Sequence, residues 1–149
     1  MSLDIEENSG GCGGKRARAT VIVEREDSIL LAETRGGLVL LPGGGIHPGE
    51  LPIAAAAREL QEETGLMPQA LIFLFRYDSE TNAHHVFWCG ARGVPCAQDD
   101  AFRLHLLAAE DTQLPPRMSL ATREIIARFH QMKANGSLPG ALGVPPGPG

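Results

Sequence analysis

The sequence predicts an α/β fold, a mixed β-sheet with helices packed on it. Three observations point there. Short β-branched runs recur between turn signals, an alanine-rich helix carries three glutamates on one face, and a second amphipathic helix follows near the end. With 149 residues, 43% hydrophobic and 21% charged, the chain fits one domain that buries roughly 70% of its unfolded surface.

The elements follow in order. Residues 1–14 are polar and glycine-rich and are expected to form a mobile arm before a folded unit over 15–135. Ala17–Glu24 (ARATVIVE) suits a buried strand. Ser28–Ala32 and Leu38–Leu41 flank Arg35-Gly36-Gly37 and read as a hairpin. Pro42 through Gly49 reads as loop, closed by the Pro48-Gly49 turn signal. Pro52 fits the first turn of the next helix, where its missing N–H is no loss, and Gly65 takes the C′ position that ends it. On this helix Ile53, Ala57, Leu60 and Thr64 are expected on the buried side. Ala70–Tyr77 and Ala83–Ala91 read as strands joined by the turn Asp78–Asn82, with a further strand near Phe102–Leu107. Met118–Met132 is an amphipathic helix expected to bury Leu120, Ile125, Ile126 and Phe129. Residues 136–149, ending PPGPG, read as a tail without a core-forming pattern.

Composition bounds the function. A net charge of −5 disfavours long nucleic acid, which needs many Lys and Arg contacts to phosphate. There is no apolar run of membrane-spanning length and no signal-peptide layout at the start. Cys12, Cys89 and Cys96 are odd in number and form no CxxC pair, so a reducing cytoplasm is the expected setting.

The chemistry concentrates in Gly44–Leu66, GGIHPGELPIAAAARELQEETGL. Glu59, Glu62 and Glu63 stand at i, i+3 and i+4, about 5–6 Å apart on a helix. Two carboxylates at that distance repel by roughly 3 kcal/mol at an effective dielectric near 20. Arg58 precedes Glu62 by one turn, while Ala55 precedes Glu59 and Glu59 precedes Glu63. Such a face is tolerable beside a divalent cation. Mg²⁺ is usually held by one or two carboxylates, with waters and substrate phosphates completing the octahedron. Glu59 and Glu63 are the first candidates and Glu62 the third; Arg58 is expected to buttress the loop through Glu50 or Glu62.

The full pattern is Gly44, Glu50, Arg58, Glu59, Leu60, Glu62, Glu63, Gly65 and Leu66. It resembles the box of the Nudix hydrolases, G-x5-E-x7-R-E-U-x-E-E-x-G-U with U apolar, at every specified position. Seven fixed residues at about 7% usage each arise by chance on the order of once in a million chains. The order of elements outside the box is also similar to that family's α/β/α sandwich, with the box as its loop–helix–loop.

The resemblance implies a Mg²⁺-dependent pyrophosphohydrolase, with Mn²⁺ as a substitute ion. Its substrate would be a small nucleoside diphosphate linked to another group, attacked by water at phosphorus. It implies metal contacts from Glu59, Glu62, Glu63 and the carbonyl of Gly43, with Gly44, Glu50 and Gly65 shaping the motif. The catalytic set would be Arg58, Glu62, Glu63 and a base. That base is either a box glutamate or a later acid, with Asp100 favoured over Asp99, Glu110 and Asp111. The default substrate on family grounds is a (deoxy)nucleoside triphosphate, as in MutT-like members, and a homodimer is compatible. A non-catalytic nucleotide sensor is the competing class, although such a module would be free to lose the four box glutamates retained here. His47 stands where relatives often carry glutamate. His84 and His85 fall on opposite faces of a strand, where surface positions are expected. Trp88, Phe87, Phe75 and Tyr77 offer either a stacking platform or core, and Arg35 and Arg76 are candidate phosphate contacts.

Overall fold

The computed structural model describes residues 14–111 and 113–139. The expected arm, and the tail beyond residue 139, lie outside the described residues. Seven strands form one mixed sheet: β1 (Arg16–Arg25), β2 (Ser28–Glu33), β3 (Val39–Leu40), β4 (Gly43–Gly45), β5 (Met67–Asp78), β6 (Asn82–Arg92) and β7 (Arg103–Ala108). Helices α1 (Pro52–Thr64) and α2 (Leu120–Ala134) cover its two faces.

β1 organises the sheet. Along one edge it pairs in parallel with β6, from Arg16↔Asn82 to Val23↔Cys89, and β6 pairs antiparallel with β5. Its other edge is divided. Arg18–Thr20 pair with β4, while Glu24 and Arg25 turn back into β2. β2 then carries β3 and β7 on its two sides. The strand alternation sorts side chains by face. Ala19, Val21, Val23, Leu30, Phe87 and Cys89 pack with Ala55, Ala56 and Leu60 of α1. Ile22, Ile29, Leu31, Val86 and Phe75 pack with Ile125, Ile126 and Phe129 of α2.

Several expectations change. The run 42–49 is not all loop, because Gly43–Gly45 make a short strand against β1. Glycine permits this approach: a Cβ on Gly43 would sit 2.1 Å from the Ala19 carbonyl oxygen. On α1 the buried residues are Ala55, Ala56, Leu60, Glu63 and Thr64, so the buried stripe is rotated toward the glutamates. Ile53 is 44% exposed and Ala57 only half-buried. The alanines let the helix lie close on β1, and that contact carries Glu63 inward.

α2 begins at Leu120 rather than Met118, because Ser119 is its N-cap and accepts the Thr122 N–H at 3.1 Å. Leu120 then points outward at 67% exposure, while Met118 is buried ahead of the helix. Leu138 is also buried, in the α2-side core, so the folded unit extends past the boundary expected at residue 135. Phe75 and Phe87 are buried in the two cores, and Tyr77 and Trp88 pack against the α2-side one. These four aromatics form core rather than a stacking platform.

Leu60→Ala should therefore cost about 2–5 kcal/mol. Leu120→Ala should stay within about 0.5 kcal/mol. Urea unfolding of the two variants checks the assignment of buried faces.

Candidate metal and catalytic site

The site forms where α1 crosses the β1–β4 pairing. Gly65 ends the helix in the left-handed conformation, φ 74°, with its N–H bonded to the Gln61 carbonyl, so the three glutamates occupy its last two turns. Their environments differ sharply. Glu63 is buried and Oε1 accepts the Gly43 N–H at 3.3 Å. Glu59 is half-buried, and its carboxylate lies against Gly44, where an added Cβ would come within 2.3–2.5 Å of it. Glu62 is exposed, and its contact is Arg58 at 3.4 Å.

The loop is fixed by one cation. Arg58 grips Glu50 through Nε and Nη2, at 2.9 and 3.0 Å, and donates to the Gly45 carbonyl at 3.0 Å. Its Nη1 reaches Glu59 at 2.8 Å. Fork-like pairing of this kind is directional and among the stronger hydrogen bonds. It holds the Glu50 carboxyl far down, to about 2, with the His47 backbone N–H assisting. Both expected partners of Arg58, Glu50 and Glu62, are in contact with it. Glu59, which has Ala55 one turn before it, thus takes its cationic partner from the adjacent residue.

A second cation was not anticipated from the helix pattern. Arg18, half-buried on β1, faces Glu63 and Glu59 electrostatically. The sequence signal was an arginine just ahead of the Ala19–Val23 run of the strand, brought to the glutamates by β1–β4 pairing. Even so, burial pushes the Glu63 carboxyl up to about 8, and the nearby Glu59 charge adds to the rise against the Gly43 N–H and Arg18.

A cavity of about 460 Å³ opens beside these groups, lined among others by Arg18, Gly43, Glu63, Asp99 and Asp100. Arg35 stands on its wall, its guanidinium 5.4 Å from the Phe102 ring centroid. Asp100 thus lies on the same cavity as Glu63. Asp111 instead accepts the Ala108 N–H at 2.8 Å in a turn, and Arg76 pairs with Asp78 at 2.9 Å.

The donor set fits a hard divalent ion. Glu59 and Glu63 meet at Gly43 and Gly44, and the raised Glu63 pKa reflects burial first and the neighbouring Glu59 charge second. Among the described residues no three His, Cys, Asp or Glu side chains converge into a cage. Two carboxylates with water and phosphate are the usual Mg²⁺ arrangement, and exposed Glu62 stands apart from the pair.

The family model for the NUDIX domain matches residues 14–130, which spans both helices nearly to the end of α2 and the whole site. The chain belongs to the NUDIX family. Among solved structures, this NUDIX chain resembles a nudix hydrolase family member from Chromobacterium violaceum, at 34% identity and a TM-score of 0.74. That match covers 82% of this chain and 81% of the other. It also resembles a bifunctional NMN adenylyltransferase/ADP ribose pyrophosphatase from Francisella tularensis, complexed with AMP and a manganese ion. There the identity is 21%, the TM-score 0.69, and coverage 82% of this chain and 43% of that one. A curated relative, the ADP-ribose pyrophosphatase of Methanocaldococcus jannaschii, is 39% identical over 62 residues, spanning 39% of this chain and 37% of the relative. The NUDIX chain thus aligns with well under half of that relative's length. No helix among the described residues is long and apolar enough to cross a membrane.

Proposed function

We propose that this NUDIX protein is a divalent-metal-dependent pyrophosphohydrolase of a nucleoside diphosphate linked to a second group. One observation carries the reading: the Glu59 and Glu63 carboxylates converge on Gly43 and Gly44, and Glu63 and Gly43 line a cavity large enough for a small nucleotide portion. In this reading Glu59, Glu63 and the Gly43 carbonyl hold Mg²⁺ or Mn²⁺, with Glu62 as an outer acid. When bound, such an ion neutralises diphosphate charge and lowers the pKa of water.

The protein's own groups do the rest. Arg58, clamped to Glu50, keeps the glycine loop and the helix in register, a positioning role. Arg18 and Arg35 supply positive charge on the cavity wall for substrate phosphates. Asp100, exposed on that wall, takes the proton of the attacking water as the phosphoanhydride P–O bond breaks. Asp100→Asn should then lower kcat by about 10²–10⁴, the usual worth of a general base, with little change in stability. Unaltered kcat would move the base to a box glutamate.

The ADP-ribose pyrophosphatase relatives put ADP-ribose beside (deoxy)nucleoside triphosphates as the substrates to test. Purified protein with Mg²⁺ or Mn²⁺ should release phosphate, pyrophosphate or a nucleoside monophosphate from at least one of them. Binding without turnover by any metal-loaded preparation would favour the nucleotide-sensing module instead.

A further inference from the structure

The segment between β6 and β7 carries Asp100, and its backbone is tied to the helix that supplies the glutamates. The Cys96 N–H donates to the Thr64 carbonyl and the Gln98 N–H to the Glu63 carbonyl, both at 2.9 Å. The last carbonyls of a helix have no partner within it, so these bonds satisfy them and fasten the segment to Glu63 itself. Gly65 leaves room for the approach, since an added Cβ would lie 2.9 Å from Gln98 Nε2. Further on the segment is held again. The Phe102 N–H donates to the Glu33 carbonyl at 2.8 Å, and Ala101 is buried. Asp100 therefore stands between two anchors, one on α1 and one on β2.

The chain makes a tight turn between them. The Ala101 N–H donates to the Gln98 carbonyl at 3.0 Å, with Asp99 and Asp100 at the two central positions. Asp99 has φ 57°, in the left-handed region that glycine takes freely and other residues take at a cost. A turn whose first central residue has positive φ usually places glycine, asparagine or aspartate there. Backbone held in such a region gathers where a site needs one geometry. Here the strained residue adjoins the candidate base, and both line the cavity with Glu63 and Gly43.

We propose that the turn Gln98–Ala101 positions the base: its tether to Glu63 fixes its place relative to the metal-binding carboxylates, and the Asp99 backbone aims Asp100 into the cavity. The part that Asp100 plays toward water rests on the pyrophosphohydrolase reading; the fastening of the turn to Glu63 does not. Asp99 is a positioning residue, acting through its neighbour. A misplacement of about 1 Å can cost about 10²-fold in rate, so a turn held at both ends has kinetic consequences despite its exposure.

The test compares Asp99→Gly with Asp99→Val in the full chain with Mg²⁺, using ADP-ribose and dATP. Glycine keeps the turn without the side chain, whereas a β-branched residue is badly strained at positive φ and should force the turn open. Asp99→Val should lower kcat at least about tenfold with KM within about twofold, as when an interaction made in the transition state is lost. Asp99→Gly should recover most of that loss. In an Asp100→Asn background, Asp99→Val should cost less than about twofold more, because residues acting through one another are not additive. Amide exchange, read without metal or substrate, should show the Gln98 N–H protected in wild type and Asp99→Gly and released in Asp99→Val. Gln98→Pro, which deletes that N–H, should reproduce the kcat loss if Asp99→Val does not fold. Equal losses in the glycine and valine variants, a valine loss undiminished by Asp100→Asn, Asp100→Asn at wild-type kcat, or unchanged Gln98 exchange in Asp99→Val overturns the positioning role. Wild type that turns over neither substrate counts against the hydrolase reading, and the exchange comparison still decides whether the turn is fastened to Glu63.

Discussion

Glu63→Gln should abolish hydrolysis while making the metal-free protein more stable. The carboxylate is buried beside Glu59 and bonded to the Gly43 N–H, so the amide keeps the shape and loses the charge that holds the ion. Metal-assisted charge stabilisation is worth several kcal/mol, which corresponds to a loss of about 10³-fold or more in kcat. The stability effect has the opposite sign. An unfolded glutamate loses its proton near 4.5, whereas folded Glu63 keeps it to about 8. Between those values the folded state binds the extra proton, so metal-free stability falls as pH rises. Gln removes that fall. With each pKa unit worth about 1.4 kcal/mol, Glu63→Gln should exceed wild type by about 2–4 kcal/mol at pH 8.5 and match it near pH 4.5. Thermal unfolding in chelator across pH reads both ends. Added Mg²⁺ should raise the wild-type Tm most at high pH, where the carboxylate is free to bind it, and leave the variant unmoved.

Arg58→Met should be the most damaging change outside the ligand pair. The methionine keeps part of the apolar stem but strips hydrogen bonds from Glu50, Glu59 and the Gly45 carbonyl at once. The Glu50 and Glu59 side chains are 17% and 15% exposed, so water replaces only part of the compensation that Arg58 gives them. Breaking a well-buried pair costs about 3–5 kcal/mol; these partly exposed groups should cost less. Because the loop carries Gly43 and Gly44, activity should fall even where the protein remains folded. Arg58→Lys should recover some stability and little activity, since a point charge cannot grip Glu50 through two nitrogens. Denaturant midpoints together with kcat measured well below them separate the two losses.

Local pattern and long-range pairing contributed differently to what the sequence disclosed. Gly65, Pro52 and the glutamate spacing act within one helix, so its ends and acidic face were legible. The hairpin of β2 and β3 was legible for the same reason, through Arg35-Gly36-Gly37. What escaped depends on contacts remote in sequence. β4 exists because glycines let Gly43–Gly45 press onto Arg18–Thr20, and that contact brings Arg18 to Glu63. The rotation of α1 that buries Glu63 and exposes Ile53 is set by Ala55 and Ala56 lying on the sheet, where helical spacing alone leaves the angle open. Leu120 was misplaced because the Ser119 cap, rather than apolar periodicity, starts α2. Buried His84 was read as a surface residue, because alternation gives opposite faces for His84 and His85 without saying that both faces are covered.

The central claim is that Glu59 and Glu63 together bind a divalent cation at the glycine strand. Crystals soaked in Mn²⁺ with a nucleotide, measured for anomalous scattering, test it most directly. The expected result is a peak in contact with both carboxylates beside Gly43 and Gly44, absent in Glu63→Gln crystals. A nucleotide bound in the cavity with no peak there, or a peak that persists unchanged in the variant, would contradict it.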